Sequence, residues 1–289
     1  AYVGARMNVE KGTDFDVRKL LDWTFDGTAV CREGWGFLIG KWNGIDISGT
    51  VGSTVDHSGY GFLMNTFDAA WPLIPLVKYQ PSYATAIGKW MLNAANASRY
   101  FYPQYMPKEH QTIPEHAEVT KGVIAYEGIS MASTFDDKYL SLKAPVAQGD
   151  GPKWVPGKNP DVSQFSVYGS AHVGIFGGII RPTNVEGILQ INLQTTDFFK
   201  EKSYPSYLYY NPYDRNKQIL IPLKAGEKTD LYNTATGRFI ARNLSGSGKI
   251  KLHARQSAVI VLVPSKGDIS YSGSRMMVNG IVVEYSAGH

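Results

Sequence analysis

The densest set of ionisable side chains lies in the segment VDHSGYGFLMNTFD at residues 55–68. Asp56, His57 and Tyr60 come just before an apolar run, and Asp68 lies within it. Carboxylates and an imidazole beside so apolar a segment cost stability unless each is paired, so this cluster indicates a catalytic site. A structural alternative stays open, in which Asp56 only caps a helix and Asp68 bonds a neighbouring loop.

Two other segments carry candidate catalytic residues. Glu127 follows the apolar run Val-Ile-Ala and Tyr126, and a Gly comes directly after it, so its carboxylate could face a cleft from the end of an element. Tyr168 and His172 are four residues apart and would share one face of a helix. The alternatives are a salt-bridged Glu127 and a His172 that is simply buried in the core.

Aromatic and amide side chains near these groups are candidates for binding a sugar. Trp35 and Trp42 lie in a glycine-rich stretch shortly before the polar cluster, and flat indole rings with a polar edge suit stacking on sugar rings. Asn65 shares a helical face with Asp68, three residues on. We expect these three residues, with Tyr126 and Tyr168, to bind substrate.

Composition and motifs exclude several other classes of protein. The sequence contains no GxxxxGK[ST], GxGxxG, HExxH or CxxC motif, so neither a cofactor nor a metal site is predicted. Its single cysteine, Cys31, rules out an internal disulfide. No concentrated basic stripe suggests a nucleic-acid partner, and no apolar run is long enough to span a membrane.

Helices are predicted to position the polar cluster. Apolar residues at helical spacing predict helices at 14–26, 61–79, 81–101 and 162–180. Pro72 and Pro75 should bend or end the second of them. The glycine-rich stretch 34–52 is predicted to be a loop, and a short element is expected at 122–133.

Beyond residue 186 the apolar period changes to two, which predicts short antiparallel strands. Asn279-Gly280 separates the last two strands and suits a type I′ turn. From residue 200 onward there are 13 Lys and Arg against 6 Asp and Glu, whereas the first 199 residues hold 16 against 19. We therefore predict a helical domain at 1–199 and a β-sandwich at 200–289.

Three segments resemble the C-terminal halves of bacterial carbohydrate-active proteins: GSTVDHSGYGF at 52–62, AIGKWMLNAANA at 86–97 and YLYYNPY at 207–213. The resemblance implies an α+β multidomain fold, an (α/α) toroid followed by a small antiparallel β-sandwich. The chain has room for only about half the helices of a closed toroid. Either an N-terminal half or a partner chain completes the toroid, or the toroid is partial.

Three functions fit these residues. The first is a glycoside hydrolase, which needs two carboxyl groups about 5 to 10 Å apart, with Glu127 as acid and Asp56, or else Asp68, as base. The second is a polysaccharide lyase acting on uronates, in which His57, Tyr60, Asn65 and His172 supply the base, the acid and charge neutralisation. The third is a glycan-binding fragment without catalysis. All three predict an oligosaccharide or polysaccharide partner and a secreted or periplasmic location.

Overall fold

A computed structural model describes residues 1–25, 35–55, 59–114, 117–118, 121–131, 142–149 and 172–287. Within these ranges the chain forms five α-helices and eighteen strands. The strands make five sheets, and every strand pair is antiparallel. The helices are α1 (Tyr2–Lys11), α2 (Val17–Phe25), α3 (Leu63–Leu76), α4 (Ala84–Ser98) and α5 (Val173–Ile179).

The predicted fold class is wrong, because the described residues form no (α/α) toroid. A toroid needs a long succession of helical hairpins, whereas five helices are present here and α5 has only 7 residues. Strands at Tyr60–Phe62, before α3, and at Gly128–Ser130, beyond α4, pair with each other, so the two helices do not continue into further helical hairpins. The resemblance to toroidal carbohydrate-active proteins is therefore wrong as well.

The chain forms two compact units, each assembled from separate segments. The first unit comprises Ala1–Val17, Trp71–Leu92 and Gly177–His289, and the second comprises Arg18–Ala70 and Asn93–Phe176. The division into domains at residues 199 and 200 stays a prediction. Among the described residues, no helix has both the length and the apolar character that crossing a bilayer requires.

The second unit is built on a five-stranded sheet in the order β1-β4-β5-β6-β7. Its strands are β1 (Trp35–Phe37), β4 (Val51–Ser53), β5 (Tyr60–Phe62), β6 (Gly128–Ser130) and β7 (Val146–Gln148). Residues that lie opposite one another in antiparallel strands point to the same face. One face, here called the Tyr60 face, therefore carries Trp35, Phe37, Val51, Ser53, Tyr60, Phe62, Gly128, Ser130, Val146 and Gln148.

The prediction of a loop at 34–52 is wrong, because three strands and the start of a fourth lie in this stretch and pair into sheets. Besides β1 and β4 it contains the hairpin of β2 (Lys41–Trp42) and β3 (Ile45–Asp46). Asn43 and Gly44 connect them with φ angles of 47° and 91°, as the two-residue turns of such hairpins require. The glycines therefore mark a turn and positions in strands rather than an unpaired loop.

Helix α3 contains the two prolines that were predicted to bend or end it. Pro72 and Pro75 lie inside it and cannot donate to the carbonyls of Asp68 and Trp71, four residues earlier. In the first unit, the Thr196 hydroxyl donates to the carbonyl oxygen of Trp71 at 2.9 Å and replaces one lost hydrogen bond. The helix ends at Leu76, one residue after the second proline.

The first unit contains three antiparallel sheets. The largest has the order β13-β12-β15-β10-β9-β8, with strands β8 (Ile180–Pro182), β9 (Leu189–Asn192), β10 (Ser206–Tyr210), β12 (Thr229–Asn233), β13 (Arg238–Leu244) and β15 (Ser257–Pro264). The pair β11 (Lys217–Pro222) and β14 (Ser247–Leu252) packs its alternate apolar residues against this sheet. A third sheet joins β16 (Ile269–Ser272), β17 (Arg275–Val278) and β18 (Ile281–Glu284).

The predicted turn at Asn279-Gly280 is confirmed. It connects β17 and β18, whose register pairs Val278 with Ile281. The φ angles of Asn279 and Gly280 are 49° and 74°, both positive as a type I′ turn requires.

A buried ion pair anchors the first unit. The Lys78 ammonium donates to Asp197, and their side chains are 9% and 0% exposed. Tyr2 and the backbone N–H of Phe199 also donate to this carboxylate, at 2.9 and 3.0 Å. Burial, with the hydrogen bond to Asp197, raises the pKa of the Tyr2 phenol. The carboxylate is thus paired and hydrogen-bonded, as a buried charge must be.

Asp197→Ala should lower the free energy of unfolding by about 3 to 5 kcal/mol, because it leaves the Lys78 ammonium buried without its counter-charge. Urea unfolding followed by circular dichroism measures the change. Glu227→Ala is the control, because it breaks the exposed Lys224–Glu227 pair and should change stability by only about 0.5 kcal/mol. Equal decreases in the free energy of unfolding in the two variants would show that the buried pair contributes no more to stability than the exposed pair.

Candidate functional site

The Tyr60 phenol and the Glu127 carboxylate form the centre of the candidate site in the second unit. Tyr60 Oη donates to Glu127 Oε1 at 3.1 Å. The Glu127 N–H donates to the carbonyl oxygen of Gln148 at 3.0 Å, and its own carbonyl oxygen accepts from Leu63 N at 2.8 Å. Since the backbone of Glu127 is bonded on both sides, its side chain emerges from a defined position between β5 and β7.

The phenol reaches Glu127 only because Gly128 has no side chain. A Cβ atom at Gly128 would lie 2.2 Å from both Tyr60 Cζ and Oη, which is far inside van der Waals contact. The ring therefore crosses from β5 over the glycine of β6, a diagonal contact between neighbouring strands of one face. The sequence Tyr126-Glu127-Gly128 thus supplies a carboxylate and, directly after it, the space for a tyrosine.

Aromatic rings extend the Tyr60 face toward β1. The ring of Trp35 packs edge-on against Tyr60 and Phe62, with centroids 6.2 and 5.6 Å away. The residue is 46% exposed, whereas Tyr60 is 7% exposed. Four strand spacings of about 4.8 Å separate β1 from β7, so the face is about 19 Å wide along the hydrogen-bonding direction.

Trp42 lies against the chain just before Tyr60. A Cβ atom at Gly59 would lie 2.8 Å from Trp42 Cζ2, and Gly59 has a φ of +125°. Only glycine adopts this conformation readily. The two tryptophans that the sequence singles out therefore both lie near the start of β5, Trp35 against Tyr60 and Trp42 against Gly59.

Asp68 and His172 form a second pair in the same unit. His172 Nδ1 is hydrogen-bonded to Asp68 Oδ1, and the side chains of His172 and Asp68 are 23% and 40% exposed. An ionised carboxylate only accepts, so Nδ1 carries the proton. In a neutral imidazole Nε2 is then the basic atom, and the bond to Asp68 fixes the orientation of the ring.

Stacked rings hold this pair together. Phe67, next to Asp68 in α3, stacks on Phe176 of α5 with a centroid distance of 4.5 Å. The Phe176 N–H donates to the carbonyl oxygen of His172 at 3.1 Å. Both phenylalanines are buried, so apolar packing fixes the backbone on which each polar partner lies.

The remaining predicted residues are placed differently. Asn65 is half-buried in α3. Tyr126 is fully buried and donates to Gln111 Oε1 at 2.6 Å, so its ring belongs to the core beneath the site and offers no surface for stacking. Asp56, His57 and Tyr168 lie outside the described residues.

Sequence reasoning missed the two glycines that shape the site, Gly59 and Gly128. Each precedes or follows a candidate residue directly, as in Gly59-Tyr60 and Glu127-Gly128. A glycine inside a strand often marks the close approach of another group, so this signal could have been used. Which ring approaches each glycine depends on strand register, which the local sequence does not specify.

In the part of the chain that the structure describes, no group of three or more His, Cys, Asp and Glu side chains could hold a metal ion. No family model and no curated protein matches this sequence. The candidate function is therefore argued from the chemistry of the side chains themselves.

Gly128→Ala should lower the free energy of unfolding by about 1 to 3 kcal/mol, because the new methyl group overlaps the Tyr60 phenol. Combining it with Tyr60→Ala should recover part of that loss, giving a coupling energy of about 1 kcal/mol or more. Denaturant unfolding of the wild type, both single variants and the double variant measures this coupling.

Gly174→Ala is the matched control, because nothing lies within 4 Å of a Cβ atom at this position. This helical substitution should be neutral or stabilise the protein by up to about 1 kcal/mol. Additive losses for Gly128→Ala and Tyr60→Ala would contradict the placement of the ring over Gly128.

Proposed function

We propose that this protein is a carbohydrate-active enzyme that cleaves glycosidic bonds of an oligosaccharide or polysaccharide by hydrolysis, with Glu127 as the general acid. The observation that carries the proposal is the hydrogen bond from Tyr60 Oη to Glu127 Oε1, beside the half-exposed Trp35 ring. A half-buried carboxyl group held by a phenol, next to an aromatic surface, suits protonation of a leaving sugar oxygen.

Each side chain has a role in this proposal. Trp35 stacks on the apolar face of a sugar ring, and Trp42 and Asn65 contribute further substrate contacts. Tyr60 orients the Glu127 carboxyl group by donating to one of its oxygens, so that the carboxyl group can face a glycosidic oxygen. The stacking and the hydrogen bond together would place the scissile bond near Glu127.

Hydrolysis also needs a second carboxyl group, about 5 to 10 Å from the first. Asp56 stays the proposed base. Asp68 is the other candidate, and its hydrogen bond with His172 holds its carboxyl group in a fixed orientation. The two carboxyl groups have different roles, because the general acid must carry a proton and the general base must accept one.

Glu127→Gln should lower the rate of glycan cleavage about a hundredfold or more, because the amide cannot donate a catalytic proton. The assay measures reducing ends released from a panel of plant and algal polysaccharides. Glu118→Gln is the control, since Glu118 is exposed and pairs only with Lys121 among the described residues, and its activity should equal that of the wild type.

Turnover that survives in Glu127→Gln would end the assignment of Glu127 as acid. Saturable glycan binding by the wild type with no cleavage of any polymer would identify a binding protein instead of an enzyme.

A polysaccharide lyase is the second candidate, and the Asp68–His172 pair favours it. An imidazole whose Nδ1 proton is held by a carboxylate presents Nε2 as a base for the proton beside a uronate carboxyl group. Tyr60 would then be the acid that protonates the leaving oxygen. The basic balance of residues 200–289 suits an acidic polymer.

The two reactions differ in their products. Lysis of pectate or alginate should produce the ultraviolet absorbance of an unsaturated uronate, and His172→Ala should abolish it because the base is lost. His253→Ala, an exposed histidine, is the control and should keep full activity. Reducing ends that accumulate without this absorbance would reject the lyase and assign hydrolysis.

A polysaccharide substrate would also determine where in or outside the cell the enzyme works. Polymers of this size do not enter cells intact, so an enzyme that acts on them would work in a secreted or periplasmic setting. This location belongs to the proposal and depends on its substrate.

A further inference from the structure

Strands β11 and β14 form a two-stranded ribbon in the first unit, and the two faces of this ribbon differ in character. The strands pair without a bulge from Lys217↔Leu252 to Pro222↔Ser247. Paired residues of antiparallel strands point to the same face, and successive residues alternate between the faces. The inner face therefore carries four buried residues of the apolar core: Ile219, Ile221, Ile250 and Leu252.

This packing fixes which side chains face outward. Gly248 lies on the inner face, where a Cβ atom would be 2.8 Å from Leu231 Cδ1 of β12, so the ribbon approaches the larger sheet closely. A shift of β14 by one residue would bury its lysines and expose its apolar residues. The outer face, here called the ribbon face, is thereby set, and its six residues are all exposed: Gln218, Leu220, Pro222, Ser247, Lys249 and Lys251.

The ribbon face is basic. Lys249 and Lys251 lie two residues apart on β14, which places their Cα atoms about 7 Å apart. Neither lysine forms an ion pair with a residue that the structure describes. The residues opposite them are Gln218 and Leu220, although a carboxylate there would stabilise the strand pair. The six residues of β11 and the six of β14 include no Asp or Glu, so two neighbouring cations lack a counter-charge on this face.

The other side chains of the ribbon face indicate what kind of anion fits it. The Gln218 amide and the Ser247 hydroxyl can bond with hydroxyl groups, and Leu220, which is 43% exposed, offers an apolar contact. An acidic polysaccharide presents carboxylates, hydroxyl groups and apolar C–H surfaces along one chain. It therefore matches each type of side chain on this face.

Other polyanions fit the ribbon face less well. Single-stranded nucleic acids bind by stacking on aromatic rings, and the bases of duplex DNA are read chiefly by arginine. The ribbon face has neither an aromatic residue nor an arginine. A membrane surface requires a broad apolar or aromatic side, whereas Leu220 and Pro222 are the only apolar residues among these six.

We propose that the ribbon face binds an acidic polysaccharide, with Lys249 and Lys251 contacting the carboxylate groups of neighbouring sugars. This surface holds the polymer and takes no part in bond cleavage. The proposal rests on the proposed function for the class of polymer, and it narrows that class to glycans with acidic groups. The 13 Lys and Arg against 6 Asp and Glu beyond residue 199 attract the same polymers from a greater distance.

The double variant Lys249→Gln/Lys251→Gln tests this surface, because glutamine removes both charges and keeps long polar side chains. Binding of polygalacturonate to the immobilised full chain is measured by surface plasmon resonance. The variant should bind about fivefold or more weakly than the wild type, as expected for the loss of two exposed charge contacts. This difference should shrink between about 50 and about 200 mM salt, because ions screen exposed charges.

Lys228→Gln/Lys266→Gln is the matched control. Both lysines are exposed residues of the first unit outside the ribbon, so the control has the same net charge as the test variant. Its affinity for polygalacturonate should differ from that of the wild type by less than about twofold. Both double variants should keep the thermal unfolding temperature of the wild type and its rate of tetrasaccharide cleavage, since none of the four lysines belongs to the candidate site.

The outcomes separate this proposal from the proposed function. Equal affinities of the wild type and the ribbon variant, or equal losses in both double variants, would overturn the binding surface and leave glycan cleavage by Glu127 intact. Tighter binding of neutral glucomannan, duplex DNA or anionic lipid vesicles than of polygalacturonate would overturn the acidic polysaccharide as the partner. Binding that depends on Lys249 and Lys251, with no polymer cleaved, would support the surface and overturn the proposed function alone.

Discussion

The candidate site depends on one small volume, the space above Gly128 that the Tyr60 phenol fills. Because β6 has no side chain at this position, a tyrosine from β5 can cross it and donate to Glu127. The same glutamate bonds Leu63 through its carbonyl oxygen, so the first residue of α3 is tied to the strand that carries the carboxylate. The packing of the Tyr60 ring and the orientation of the Glu127 carboxylate thus both require that residue 128 has no side chain.

Buried polar groups in this protein fall into two energetic classes. Asp197 accepts from Lys78, Tyr2 and a backbone N–H, so its desolvation is offset by three donors and the group contributes to stability. Gln148 and Thr112 each retain a buried atom with no partner among the described residues. The first arrangement is what folding requires of a buried charge, whereas the second leaves a desolvation cost that no described contact offsets.

Sequence periodicity predicted individual elements better than their assembly. The apolar spacing at 61–79 and 81–101 corresponds to α3 and α4, and Asn279-Gly280 forms the expected turn. The equivalent Asn43-Gly44 signal was overlooked within a stretch interpreted as a loop. The toroid failed for a different reason: two true helices were extended to a whole architecture, although the strand before α3 and the strand at Gly128–Ser130 pair into a sheet.

Residue type and spacing determined which side chains could do chemistry, because the identity of each residue fixes whether it carries a carboxylate, an imidazole or an indole. They also determined local turns and the apolar faces of the helices, which depend on neighbours close in sequence. Only the tertiary structure decided that Tyr60 bonds Glu127, 67 positions away, that Asp68 bonds His172, and that Tyr126 is buried. Such pairings follow from strand register and packing between distant segments, where a shift of one residue would turn each side chain to the opposite face.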